Sequence, residues 1–423
     1  MNILILGSGG RESAFAWKIS QSPLCSQLFI APGNGGTGAY GKNININPTN
    51  FEAVKALVLK EQIAMVVVGP EEPLVNGIHD FFLNDADLAA IPVIGPKKEG
   101  AILEGSKDFS KQFMARHGIP TPGSRSFTNE TLADGLAYLE GHSLPIVLKA
   151  DGLAAGKGVL ICQTLAEAKE ELQLMLGGKF GNAGSLVVVE EYLSGIELSV
   201  FVLTDGNNYV ILPEAKDYKK IGQADTGLNT GGMGSVSPVP FADEQFLNEV
   251  EQSIIIPTID GLKKDNIDYT GFIFFGLFKV GDKPLIIEYN CRMGDPETES
   301  VIPRIENDLV ELFTAVAKKK LGDYKLSISP KNAATVMVVA GGYPGDYEKG
   351  KIISGIDNIR RSTAFHAGTV LEGGVVKTNG GRVIAITSLQ DSQFEALQSA
   401  TADAARIYFD GKYFREDIGF DLV

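Results

Sequence analysis

Three residues with clear chemical potential stand at every second position near residue 290. The segment 285–290 has the apolar composition of a β-strand, in which alternate side chains point to the same face. Glu288, Asn290 and Arg292 therefore share one face. Carboxylate and amide oxygens suit Mg²⁺ beside nucleotide phosphates, and an arginine can neutralise a phosphoryl group in transfer. The alternative is a solvated strand face with a Glu–Arg pair.

A glycine-rich segment at residues 149–159, KADGLAAGKGV, is the second candidate. It departs from a P-loop because its glycine spacing is one residue short and Gly158 stands where Ser or Thr is required. It also joins two strands rather than a strand and a helix. We predict a flexible flap over phosphates, with Lys149 and Lys157 as point charges. An exposed glycine-rich hairpin is the alternative.

The N-terminus combines an apolar run, NILIL, with the glycine turn GSGGRE at residues 7–12. A glycine turn between a strand and a helix lets backbone N–H groups approach an anion. The dinucleotide fingerprint fails because Glu12 occupies its third glycine position, and the next strand ends at Pro32–Gly33 without an acid for a ribose. A dehydrogenase is therefore disfavoured, which leaves a phosphate site or a plain tight turn.

Two further polar regions could meet a nucleotide or a second substrate. Glu190 ends an apolar strand and could accept a hydrogen bond from an adenine amino group, while Glu197 could accept from ribose hydroxyls. A solvated strand end is the alternative. The polar, glycine-rich region 214–234 is predicted as a long loop, and loops of that length are usually functional or disordered. Its acid, basic and small donor residues suit a phosphorylated substrate.

The elements that must position these residues follow an α/β pattern. Apolar strands alternate with helices over the first hundred residues, which predicts a parallel sheet with ligands at the carboxyl ends of its strands. The remainder reads as α+β lobes. We predict an N-terminal α/β substrate-binding domain over 1–100, a connecting helix over 101–119, a small lid lobe over 120–193, a larger lobe with metal and catalytic residues over 194–328, and a C-terminal α+β cap over 329–423.

The composition excludes several classes of protein. The net charge of −14 argues against general nucleic-acid binding. The three cysteines form no C-x-x-C pair and the four histidines form no H-E-x-x-H motif, which argues against a disulfide framework or a zinc site and fits a reducing cytosol. No signal peptide or membrane span is apparent. We expect a cytoplasmic monomer without membrane or nucleic-acid partners.

Taken in order, the motifs resemble the phosphoribosylamine–glycine ligase family of the ATP-grasp superfamily, and the resemblance covers essentially the whole chain. The motifs are GSGGRE at 7–12, APGN at 31–34, KADGLAAGKGV at 149–159, NTGGMG at 229–234 and EYNCRMGDPET at 288–298. The resemblance implies that ATP lies between a small and a larger α+β lobe. It further implies that glycine is joined to 5-phosphoribosylamine through glycyl phosphate, giving glycinamide ribonucleotide, ADP and phosphate in purine (IMP) biosynthesis.

Residue roles follow from the same resemblance. A Mg²⁺ or Mn²⁺ ion is expected on Glu288 and Asn290, and the implied catalytic residues are Arg292, Asp217 and Lys149. The implied ATP-binding residues are Lys107, Lys149, Gly152, Gly156, Lys157, Gly158, Glu190, Glu191, Tyr192, Leu193 and Glu197. The implied substrate-binding residues are Gly9, Gly10, Arg11, Asn34, Glu71, Asp217, Asn229, Thr230, Gly231, Gly232, Met233, Gly234, Arg292, Asp295 and Pro296.

The chain departs from the common family pattern at several positions, and from many other ATP-grasp proteins in one further segment. Tyr218 and Lys220 stand where the family commonly has histidine and arginine, so roles of those residues do not transfer, and a lysine cannot form a bidentate phosphate fork. The strand-like segment 271–278 has no acid, which argues against a second metal held wholly by the protein. The remaining alternatives are another ATP-grasp ligase or carboxylase, and a nucleotide-binding module without catalysis.

Overall fold

The computed structural model describes residues 1–152 and 158–422. Residues 153–157, which include Gly156 and Lys157 of the predicted flap, lie outside the described residues. Within the described part of the chain, no helix is both long and apolar enough to cross a membrane.

The N-terminal region is the predicted parallel α/β domain. Its elements are β1 (Asn2–Gly7), α1 (Gly10–Ile19), β2 (Gln27–Pro32), β3 (Lys42–Asn43), α2 (Phe51–Lys60), β4 (Ile63–Val68), α3 (Glu71–Val75), α4 (Ile78–Asn84) and β5 (Val93–Ile94). The strands pair in parallel in the order β3-β2-β1-β4-β5. Residues 3–6 of the central strand β1 are fully buried, as expected for a strand covered on both faces.

Two helices and a small antiparallel lobe follow. They comprise α5 (Lys98–Gly105), α6 (Lys107–His117), β6 (Ser124–Thr128), α7 (Leu132–Glu140), β7 (Ile146–Ala150), β8 (Val159–Cys162), α8 (Leu165–Leu174) and β9 (Leu186–Glu191). Ser106 caps α6 by accepting a hydrogen bond from the Phe109 N–H, and left-handed Gly118 ends that helix. The four strands pair in the order β6-β9-β7-β8 around a separate apolar core.

The larger lobe and the C-terminal region complete the chain. Their elements are β10 (Ile196–Thr204), β11 (Tyr209–Asp217), β12 (Lys220–Gly222), β13 (Thr226–Asn229), β14 (Gly234–Ser237), α9 (Glu244–Val250), α10 (Ile256–Lys264), β15 (Gly271–Val280), β16 (Lys283–Asn290), α11 (Glu297–Val301), α12 (Leu309–Ala317), β17 (Asn332–Val339), β18 (Ser362–His366), β19 (Thr369–Glu372), β20 (Val375–Thr378), β21 (Arg382–Gln390) and α13 (Gln393–Arg406).

One eight-stranded sheet runs through both the larger lobe and the C-terminal region. Its order is β16-β15-β10-β11-β14-β17-β21-β18. Strand β14 pairs with β17 from Gly234↔Val336 to Ser237↔Ala333. The residues predicted as a separate cap therefore continue the sheet of the larger lobe.

The region predicted as one long polar loop contains regular structure, so that prediction was wrong in part. Strands β12 and β13 form a short hairpin, and β14 enters the eight-stranded sheet. The glycine-rich sequence of this region lacks the alternation of apolar residues that marks a strand. Strand β14 pairs with β11 on one side and with the more distant β17 on the other, and local composition does not reveal these pairings.

A β-bulge shapes the hairpin of β15 and β16. Gly276 pairs with Glu288 and Leu277 pairs with Ile286, which leaves Ile287 as the extra residue. The Ile287 carbonyl accepts a hydrogen bond from Lys149 Nζ at 3.2 Å. Bulges commonly redirect side chains beside functional sites, and this one precedes Glu288.

A glycine contact between the N-terminal sheet and β15 provides a test of the fold. Gly271 has φ +124°, and a Cβ there would lie 2.8 Å from Gly95 Cα. Gly271→Ala should therefore lower the free energy of unfolding by about 1–3 kcal/mol, measured by urea denaturation. Gly38→Ala is the matched control because nothing lies within 4 Å of its added Cβ. Equal midpoints for the two variants would contradict the proposed close contact.

Candidate active site

The N-terminal domain, the small lobe, the larger lobe and the C-terminal region meet around a cavity of about 520 Å³. Many of the residues singled out from the sequence line it. They are Arg11, Glu71, Lys107, Lys149, Gly158, Glu190, Asp217, Asn229, Thr230, Gly231, Glu288, Asn290, Arg292 and Asp295. The structure thus brings together residues from distant parts of the chain.

Glu288 is the carboxylate around which the cationic side chains gather. Burial alone would raise its pKa, but Lys219, Lys149 and Lys107 outweigh burial and hold the pKa below its usual range. The neighbouring Asn290 also lines the cavity. An ionised carboxylate and an amide oxygen fit Mg²⁺ or Mn²⁺ provided that other oxygens complete the coordination. No group of three or more His, Cys, Asp or Glu arranged for a metal occurs in the described ranges.

Arg292 is held by two carboxylates. Its Nη2 lies 2.6 Å from Glu104 and its Nε lies 3.3 Å from Glu71. Glu104 also accepts from the backbone N–H of Cys291 at 2.8 Å, so it fixes both the arginine and the chain beside it. Sequence analysis missed Glu104 because it lies within the apolar helix α5, and only the tertiary contact reveals its partner.

Glu190 forms a buried ion-pair cluster at the end of β9. Its Oε2 lies 3.0 Å from Lys149 Nζ and 3.3 Å from Lys111 Nζ. Its Oε1 is buried and has no hydrogen-bond partner among the described residues. Burial lowers the pKa of Lys111 to about 8 despite the attraction of Glu190. Lys111 is a second lining residue that sequence analysis missed, because its partner lies in another lobe.

Lys107 lies beside the base of the predicted flap. Its Nζ donates to the Gly152 carbonyl at 3.3 Å, and burial lowers the pKa of the lysine despite the charge of Glu288. A buried ammonium with weak partners is suited to bind an incoming anion.

An acidic group lies opposite these lysines. Asp217 and Glu297 are both buried, and Glu297 accepts from Ser199 Oγ at 3.3 Å. Burial raises the pKa of each carboxyl, and the charge of Asp217 raises that of Glu297 further. Lys219 forms an ion pair with Glu197, the predicted ribose ligand, and lies 3.9 Å from Asp217.

The other predicted site residues lie outside the cavity lining. They are Gly9, Gly10, Asn34, Gly152, Glu191, Tyr192, Leu193, Glu197, Gly232, Met233, Gly234 and Pro296. Asn34 is buried, and its amide donates to the Ser8 carbonyl at 2.9 Å and the His366 carbonyl at 2.7 Å. Met233 is fully buried. Both side chains pack structural elements together in this conformation.

The glycine turn before α1 is close to the protein's own carboxylates. The Gly9 N–H donates to Glu12, and the Arg11 N–H donates to Asp295 Oδ2 at 3.3 Å. A Cβ at Gly10 would collide with the carboxyl of Glu299. These contacts occupy much of the space in which a phosphate was expected from the sequence.

Tyr218 occupies the position at which the family commonly has histidine, and it joins β11 to the segment after α13. Its hydroxyl donates to Asp421 Oδ1 at 2.7 Å, and Lys216 Nζ lies 3.9 Å from the centre of its ring. The fully buried Arg415 lies 5.5 Å from the same ring. These contacts hold the end of β11 on the side away from the cavity. Asp217, the last residue of that strand, lines the cavity.

A cavity between a small antiparallel lobe and a larger lobe, lined by lysines, a carboxylate and an amide, is typical of an ATP-grasp protein. Three family models of phosphoribosylglycinamide synthetase match this chain. The N-domain model matches residues 1–104, the ATP-grasp (A) domain model matches residues 105–298 and the C-domain model matches residues 333–421. The chain belongs to this family.

Individual relatives agree with this assignment. The phosphoribosylamine–glycine ligase of Vibrio vulnificus strain YJ016 is 46% identical over 100% of this chain and 99% of its own. The crystal structure of the Thermotoga maritima phosphoribosylamine–glycine ligase is 33% identical, with a TM-score of 0.85 over 99% of this chain and 100% of that chain. An ADP complex of N5-carboxyaminoimidazole ribonucleotide synthetase is 17% identical with a TM-score of 0.66, covers 95% of this chain and 96% of its own, and shares the fold.

The buried acids predict a specific pH dependence of stability. The folded protein retains a proton on Glu297 that the unfolded chain releases above the ordinary glutamate pKa of about 4.3. The free energy of unfolding should therefore fall as the pH rises above that value, by about 1.4 kcal/mol per pH unit for one retained proton. Glu297→Gln should flatten this slope, as measured by urea denaturation between pH 5 and about 8.

The exposed Glu130→Gln is the control, and it should keep the wild-type slope. If Glu297→Gln and Glu130→Gln gave the same dependence of unfolding free energy on pH, Glu297 would be ionised in the folded protein.

Proposed function

We propose that this chain joins glycine to 5-phospho-D-ribosylamine, giving glycinamide ribonucleotide, ADP and phosphate in de novo purine biosynthesis. Family membership supports an ADP-forming carbon–nitrogen ligase. The observation that carries the proposal is the partly buried Glu288 carboxylate, with Asn290 beside it and three lysines around it. This arrangement suits transfer of a phosphoryl group, which depends on positioning and charge stabilisation.

ATP is proposed to lie between the small and larger lobes. Lys107 and Lys149 face its phosphates. Glu190 has a free buried oxygen that can accept from the adenine amino group, beside the backbone of 191–193. Glu197 can meet the ribose after Lys219 moves from it.

A Mg²⁺ or Mn²⁺ ion on Glu288 and Asn290 would neutralise charge on the ATP phosphates. Arg292 is placed to stabilise the phosphoryl group as it passes to the glycine carboxylate. Arg292 can break its ion pair with Glu71 while its ion pair with Glu104 keeps the side chain in position. The amine of phosphoribosylamine then attacks glycyl phosphate, forming the amide and releasing phosphate.

Glycine and phosphoribosylamine are proposed to occupy the opposite side of the cavity. Asp217, Arg292 and Asp295 lie near the transferred group, and Arg11, Glu71 and residues 229–231 form the surrounding wall. The turn at Gly9 and Gly10, Asn34 and Pro296 support this wall from behind. We expect the enzyme to act as a cytoplasmic monomer, and its three free cysteines suit a reducing compartment.

The reaction itself is tested by measuring ADP release from ATP–Mg²⁺ with glycine, with and without freshly prepared 5-phosphoribosylamine. Release that requires both substrates is the expected result. Release that ignores glycine or phosphoribosylamine would contradict the proposed acid and amine.

The metal ligand is tested by Glu288→Gln. Because the amide removes the charge that binds the cation, turnover should fall roughly 100-fold or more and require a higher Mg²⁺ concentration. Steady-state kinetics over a Mg²⁺ titration would measure both effects. The exposed Glu249→Gln is the matched control. Unchanged turnover with an unchanged Mg²⁺ requirement would exclude Glu288 as a ligand.

A further inference from the structure

We propose that Arg382 and Tyr343 of the C-terminal region bind the 5-phosphate of phosphoribosylamine, together with the loop at Gly231. This inference rests on the proposed function, because it takes its ligand from that reaction. It assigns a binding role to two residues that lie outside the motifs found in the sequence.

Arg382 lies at the start of β21 and faces the cavity. Its Nη1 donates to the Gly231 carbonyl at 2.7 Å and the Asp295 carbonyl at 2.6 Å, and lies 3.0 Å from Asp295 Oδ1. Its Nε and Nη2 make no hydrogen bond to any residue in the described ranges. One nitrogen thus fixes the side chain, while two remain in the fork geometry that binds a phosphate.

Tyr343 supplies a third donor from the same side. Its hydroxyl oxygen accepts a hydrogen bond from the Gly231 N–H at 2.9 Å, which leaves its O–H free to donate. Pro344 follows it in the cavity lining. The loop at Gly231 is therefore held by both proposed phosphate ligands, so binding of the phosphate would also order this loop.

The alternative phosphate position, at the turn before α1, is less suitable in this conformation. Its N–H groups at Gly9 and Arg11 already donate to Glu12 and Asp295. A dianion bound there would break these two hydrogen bonds within the protein and would lie beside two carboxylates. The guanidinium of Arg382 requires no such exchange at Nε and Nη2.

Two arginines lie near the proposed phosphate position. Arg11 lines the same cavity, and its Nη1 donates to the Met293 carbonyl at 3.0 Å. Burial raises the pKa of Glu299, and the charge of Asp295 raises it further. Arg11 Nε already pairs with Glu12 Oε1 at 2.7 Å, so Arg382 Nε and Nη2 are the main cationic donors for a phosphate at this position.

Selective kinetics test the assignment. Arg382→Lys keeps a positive charge but loses the fork, so the KM for phosphoribosylamine should rise roughly 10- to 100-fold. Tyr343→Phe should raise the same KM roughly 5-fold by removing one donor. The KM values for ATP and glycine should stay within about 2-fold. Arg361→Lys, an exposed substitution in the same region, is the matched control.

A binding measurement separates this inference from the reaction as a whole. Ribose 5-phosphate, titrated calorimetrically, should bind the wild-type protein at least roughly 10-fold more tightly than Arg382→Lys. Equal affinity for the two proteins would overturn the phosphate assignment even if the ligase reaction proceeds. A KM that rises equally for all three substrates would also overturn it, because it would indicate general disruption of the cavity. A failed ligase assay with intact, Arg382-dependent ribose 5-phosphate binding would instead count against the reaction alone.

Discussion

The structure depends on one electrostatic constraint, the gathering of cations around the carboxylate of Glu288. Lys107 begins α6, Lys149 lies on β7 and Lys219 follows β11, so the three ammonium groups arrive from three separate elements. Bringing like charges together is unfavourable unless an anion lies between them. The cavity can therefore form only when all these elements take their native positions around Glu288, and phosphates would add further compensating charge.

Most functional side chains already have a partner within the protein. Arg292 is paired with Glu71 and Glu104, and Glu197 with Lys219. Buried charges are costly without partners, which explains why these temporary pairs exist. Under the proposed function, substrate binding would exchange one ion pair for another instead of exposing or burying an isolated charge.

The sequence predicted the fold class, the parallel N-terminal sheet and the strand that carries Glu288 and Asn290, because apolar periodicity and glycine turns are local signals. It also identified the family and its reaction, through motifs in a fixed order. It did not identify Glu104, Lys111 or Arg382, since each lies in a segment whose local pattern favours a structural role and finds its partner far along the chain. The region 214–234 was predicted as one loop for a similar reason, because strand β14 is recognisable only through its pairing with β11 and β17.

The shared eight-stranded sheet has a mechanical consequence. The larger lobe and the C-terminal region are joined by backbone hydrogen bonds between β14 and β17, so they cannot separate without breaking a sheet. The small lobe has its own four-stranded sheet and its own core. Opening of the cavity is therefore expected to be a hinged movement of the small lobe alone. Such a movement would open the cavity on the nucleotide side and leave intact the wall formed by the larger lobe and the C-terminal region. The architecture of the sheets would therefore decide which product leaves first.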